Sequence, residues 1–101
     1  MTELDGIRHA IRRLHSCESS YITTVQVRET FIEQTVWQGN VEVFNLIGHS
    51  KTDLCYAWVH HDQEGKSHYT TVLRLPPVNS PVDAVRAALI AEVQNSNGKE
   101  T

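Results

Sequence analysis

No run of apolar residues in this 101-residue chain approaches the ~20 that a bilayer crossing needs, and Met1-Thr-Glu-Leu-Asp5 carries charge where a basic, apolar leader would stand. Both absences predict a cytoplasmic, bacterial-type soluble protein. Cysteine is scarce: Cys17 and Cys55 have neither metal-motif spacing nor a partner close in sequence, which predicts two reduced thiols. Basic residues are few, nine Lys and Arg against twelve Asp and Glu, for a formal charge of −3. Phosphate binding draws most of its affinity from concentrated Lys and Arg, so this balance weighs against a nucleic-acid module. The loop Gly48-His-Ser-Lys-Thr-Asp53 lacks a glycine directly before Lys51 and another four residues further back, and without them a backbone cannot wrap a phosphate. Internal repeats and low-complexity segments are also missing.

What is present is an ordinary globular composition, 40% hydrophobic and 21% charged, spread evenly until the last few residues. A chain of this length buries roughly 65% of its unfolded surface and needs neither metal nor disulfide to fold. The expectation is a single domain over residues 1–94, followed by a flexible polar tail over 95–101. Thr2 is placed to cap a helix from Glu3 to His15, with Leu4, Ile7, Ile11 and Leu14 at helical spacing. Its outer face carries Arg8, His9, Arg12 and Arg13, which Glu3 and Asp5 largely offset, so a solvated face is expected. Residues 16–20 form a polar linker. From Tyr21 the period changes to two, giving a strand to Phe31, a tight connection at Ile32-Glu33-Gln34 and a second strand from Thr35 to Leu46. Gly39 marks a bulge or a close backbone approach within it, and a rival reading places the turn at Gln38-Gly39-Asn40 instead.

Leu54 to Leu75 reads as a β-hairpin turning at Asp62–Lys66, with Gly65 supplying a positive φ. Pairing Asp62 with Lys66 puts Tyr56, Trp58, His60, His68, Thr70 and Val72 on one face. Cys55, Ala57, Val59, Tyr69, Thr71 and Leu73 fall on the other. Pro76-Pro77-Val78-Asn79 then stops the sheet, and Ser80 caps a helix over Pro81 to Asn95, slim with Ala84, Ala87, Ala88 and Ala91. The predicted architecture is α+β: an antiparallel meander of three to four strands with the N- and C-terminal helices packed on one face.

The segments Val36 to Leu46, Gly48-His49, Cys55 to Trp58, Tyr69, Val72-Leu73, Pro77-Val78, Ser80-Pro81 and Ala84-Val85 resemble a group of small uncharacterised bacterial proteins, some carried on the mobile gene cassettes of integrons. The likeness spans about residues 25 to 90 and its motifs are structural in type. It implies a helix, three or four strands and a helix. Such proteins bring no established activity, so the resemblance implies no site residue.

Two helices on one sheet face would leave the other open, and an uncovered aromatic face marks an interaction site. The leading expectation is therefore a binding or interaction protein, a homodimer that uses Tyr56, Trp58, His60, His68 and Thr70 for self-association or to hold a small-molecule or protein ligand. The element order also matches the double-stranded RNA-binding domain, but Pro81-Val82-Asp83 stands where that module has Lys and Arg at the start of its last helix. The third reading is a metal or enzyme site built on His60, His61 and His68, with Asp62 or Glu64 as further candidates; His60 and His68 face each other across the hairpin while His61 points the other way, and two imidazoles with no placed third ligand are a thin donor set. Cys55 falls on the covered side, where a thiol is inert. No catalytic residue and no cofactor are assigned.

Overall fold

The computed structural model describes residues 2–99, with side chains through residue 92. Six elements follow one another: α1 (Glu3–His15), β1 (Glu18–Phe31), β2 (Gln34–Ile47), β3 (Leu54–His61), β4 (Ser67–Leu73) and α2 (Pro81–Lys99). The strands form one four-stranded antiparallel sheet in the order β1-β2-β3-β4, so the α+β meander with terminal helices is the fold. None of the described helices is long and apolar enough to cross a membrane.

Local chemistry sets each boundary. The Thr2 hydroxyl accepts from the Asp5 backbone N–H while the Asp5 carboxylate accepts from the Thr2 N–H, a reciprocal cap, and Ser16 closes the helix in a left-handed conformation. The residues expected as a linker, 16–20, instead supply the turn and the first strand residues, Glu18 to Ser20. The β1–β2 turn is Ile32-Glu33, with φ of 50° and 62°. A two-residue hairpin turn of this hand matches the twist of the strands but favours Asn-Gly, and a β-branched residue there costs about 1–2 kcal/mol. Gly39 lies mid-strand opposite Val27, so the rival turn does not form. A Cβ at Gly39 would stand 3.2 Å from the Trp37 indole, which is the close approach that glycine permits. The β3–β4 hairpin has the expected register, His60 opposite His68 and Tyr56 opposite Val72, closed by an Asp62 N–H bond to the Lys66 carbonyl with Gly65 at φ 82°. Helix α2 continues past Asn95 to Lys99, over residues expected in the tail; residues 100–101 of that tail lie outside the described residues.

The two helices do not share a face. Ile7 and Ile11 of α1 pack on Phe44, Leu46, Cys55 and Ala57, whereas Ala84 and Val85 of α2 pack on Val41, Val43, Tyr56 and Trp58. The sheet is thus the middle of three layers. The reason is visible in β3, where Cys55, Tyr56, Ala57 and Trp58 are all buried in succession. A strand with one wet face alternates; one covered on both faces is apolar at consecutive positions. Shape assigns the helices: bulky isoleucines meet the small Cys55 and Ala57, and slim alanines meet the tryptophan and tyrosine.

Candidate functional site: an aromatic-floored cleft beneath helix α2

The face expected to lie open is therefore roofed by the chain's own last helix, and the five residues proposed for it separate. Tyr56 is 4% exposed and Trp58 5% exposed, both in the α2 core. Burial pushes the Tyr56 phenol above its ordinary pKa, with Arg74 acting in the opposite sense. Thr70 is half-buried, and His60 and His68 are exposed at the hairpin end.

Where α2 passes over the end of the sheet, the packing opens into a cleft of about 640 Å³. Trp37 and Trp58 form its floor, edge to face, with ring centroids 5.4 Å apart and an interplanar angle of 67°. Val85, Ala88 and Leu89 of α2 form the roof, and His60, Thr70 and Glu92 bring polar groups to it. A volume in the range of small-ligand sites, apolar walls and few polar groups are what such pockets share. Three of the sequence-derived residues, Trp58, His60 and Thr70, thus line one site, but from beneath a helix.

His60, at the edge of the cleft, stacks on His68 with centroids 5.2 Å apart and planes 19° from parallel. His68 Nε2 lies 3.0 Å from Asp62 Oδ2. That contact, followed by the Lys66 and Glu64 backbone N–H groups donating to Oδ1, holds the Asp62 carboxyl below its ordinary pKa. Flat stacking puts two ring faces together, which is not how two imidazoles converge on one cation. Among the described residues no group of three or more His, Cys, Asp or Glu is placed to hold a metal ion. His61 points to the opposite face, 3.8 Å from Glu3 of α1. Cys55 is buried on the α1 side, and desolvation pushes its thiol up to about 12.

Trp37, Val85, Ala88, Leu89 and Glu92 are members of this site that hairpin alternation could not reveal. Their signal is the run of alanines on α2, which leaves space over bulky neighbours. On the other side of α2, Phe31, Val36, Leu89 and Ile90 border a second, shallower apolar hollow of about 700 Å³ at the β1–β2 tip. No family model, no curated protein and no solved structure matches this chain.

Proposed function

We propose that this chain is a small-molecule-binding protein whose ligand lies in the cleft between α2 and the β2–β3–β4 face. The carrying observation is the Trp37–Trp58 pair as the floor of a space of about 640 Å³ with His60, Thr70 and Glu92 at its edge. An edge-to-face indole pair presents both a π face and a polarised edge, and it favours a flat, mostly apolar ligand worth about 0.5–1.5 kcal/mol per aromatic contact beyond its buried area. His60 and Thr70 suit a hydroxyl, amine or carbonyl at one end of that ligand, since each both donates and accepts hydrogen bonds. The described residues of the site bring hydrogen-bonding groups without an assembled nucleophile, base and orienter among them, which supports binding over catalysis.

The two tryptophans are the chain's whole complement, so their indole N–H resonances report the cleft directly. Naphthol, a flat two-ring alcohol, is the probe. Titration to millimolar concentration is expected to move both resonances, and Ala88→Phe, which fills the roof, is expected to weaken that response at least about tenfold, a difference of roughly 1.4 kcal/mol. Equal binding by the wild-type and filled chains would place the probe elsewhere and overturn the reading.

A further inference from the structure

The outer edge of β1 pairs with no other strand among the described residues. It runs for 14 residues, Glu18–Phe31, with no proline and no lysine along it. The opposite edge, β4, has seven residues and is followed by Pro76 and Pro77. Sheet proteins blunt long edges with just those devices, because a row of unpaired N–H and C=O groups templates another strand. Beyond the backbone, the side chains of β1 complement their own reversal. Val25 and Val27 belong to the α2 core side. On the other face Tyr21 O–H donates to Thr24 Oγ1 at 2.6 Å, and the Thr24 hydroxyl donates to the Glu42 carboxylate at 2.8 Å, which gathers negative charge beside the edge. Arg28 shares the Thr24 face and, among the described residues, spends its Nε on Thr35 at 3.0 Å. Tyr21 and Ile22 leave apolar surface near one end of the strand, and Phe31, 67% exposed, leaves it at the other.

We infer that β1 pairs antiparallel with β1 of a second copy about a two-fold axis near Gln26, joining two sheets into one of eight strands. This register sets Val25 against Val27 and continues the α2-side core across the junction. It sets Glu29 against Thr23, away from like charge. Arg28 falls opposite Thr24, so its guanidinium meets Glu42 one strand further in, about 10 Å away between Cα atoms and within an arginine's reach. Past the irregularity at Tyr21/Thr23, the backbones of Phe31 and Tyr21 come opposite each other, with Phe31 on the α2 face and Tyr21 on the α1 face, so each adds apolar surface to its own side of the junction. Axes at Val25 or Val27 lose this match: the first sets Arg28 and Glu29 against Ile22 and Tyr21, and the second sets Glu29 against Val25. A two-fold interface must be complementary to itself, and Val25 against Val27 on one face with Arg28 against Glu42 on the other meets that demand.

Light scattering on the full chain, with hydrogen exchange on the β1 amides, tests this. The wild-type chain is expected at twice its 11.4 kDa mass, with protected amides on the outer edge of β1. Arg28→Glu and Glu42→Lys are each expected to shift the mass to that of one chain while leaving the thermal melt of the chain cooperative. The double variant is expected to regain the dimer, because the swapped charges again meet across the axis and never within one chain. A wild-type mass of one chain at millimolar concentration overturns the inference. So does a dimer that ignores both single reversals, or one that the double variant does not restore.

Discussion

Truncating Trp58 to alanine separates an open aromatic sheet face from one that α2 covers. On an open face the indole would be a surface group, and surface substitutions change stability by about 0.5 kcal/mol or less. In the structure Trp58 is 5% exposed, packed in the cluster of Val41, Val43, Tyr56 and Val85. Large-to-small changes of a buried tryptophan cost about 3–5 kcal/mol, and the cleft leaves one side of this indole unpacked, so the lower part of that range applies, about 3–4 kcal/mol. Of this, about 1 kcal/mol is the edge-to-face contact with Trp37, which a cycle of Trp58→Ala, Trp37→Ala and the double variant isolates. For a domain of this size the loss lowers the melting temperature by at least about 12 °C, a large part of a total stability of about 5–15 kcal/mol. Urea titration followed by far-ultraviolet circular dichroism gives the free energy, and a calorimetric melt gives the temperature. A Trp58→Ala chain that melts within about 2 °C of wild type would refute the three-layer arrangement around α2.

Three further outcomes follow from the α1 side. Gly6→Ala adds a methyl 2.9 Å from the Tyr69 ring carbon that bears the hydroxyl, so the overpacking cost of about 1–3 kcal/mol outweighs the ~1 kcal/mol helix gain; the urea midpoint falls, and Tyr69→Leu in the same chain restores part of it. Cys55, its thiol pushed up to about 12, is expected to resist iodoacetamide in the folded chain at mildly alkaline pH and to react fully in urea; prompt labelling of folded Cys55, read by peptide mass, would contradict its burial. His15 bonds Thr71 Oγ1 at 2.8 Å and is held below its ordinary value of 6.5, first by burial and then by His49, whose ring lies 6.4 Å away. Its unfolded form binds more protons from 6.5 down to the folded pKa, so stability rises with pH across that window and is lost on acidification below 6.5. The depressed Asp5 and Asp62 carboxyls keep their contribution until the pH falls below 3.8 and do not mask the effect. His15→Gln is expected to flatten the urea midpoint between about pH 7.5 and 5.5, and an unchanged slope would assign the loss to another group.

Much of the fold was written locally. The reciprocal Thr2–Asp5 cap, the two-residue period from Tyr21 and the Asp62–Lys66 closure each depend on residues within a few positions, and the corresponding elements stand where those signals put them. The stacking of the layers depends on contacts between distant segments, and there alternation misled. Dividing the β3–β4 hairpin into a small face and an aromatic face correctly grouped the residues but awarded both helices to the small one. The overlooked signal was the unbroken apolar stretch Leu54 to Val59, which alternation treats as two half-faces and which burial on both sides explains directly. The sequence predicts a tight connection at Ile32-Glu33-Gln34, yet nothing in its composition announces two left-handed residues; the strands on either side impose them.

The same division of shape that orders the layers also opens the candidate site. On the α1 side Ile7 and Ile11 settle over the small Cys55 and Ala57 beside Phe44 and Leu46, so that layer closes around fully buried groups. On the α2 side the sheet supplies the volume and the helix supplies alanines. An alanine row allows close approach only where helix and sheet stay near each other, and a straight helix over a twisted sheet cannot do so along its whole length. Near Ala84 and Val85 the contact is complete, with both residues fully buried. Further along, Ala88 and Ala91 line the cleft together with Trp58 and Trp37, and their short side chains leave its volume unfilled. Larger residues at positions 88 and 91 would close that layer at little cost to helix propensity, since leucine forms helices nearly as well as alanine. The cleft leaves one side of the chain's two tryptophans without a packing partner, and a ligand that bound there, as proposed, would add its binding free energy to the stability of the folded chain.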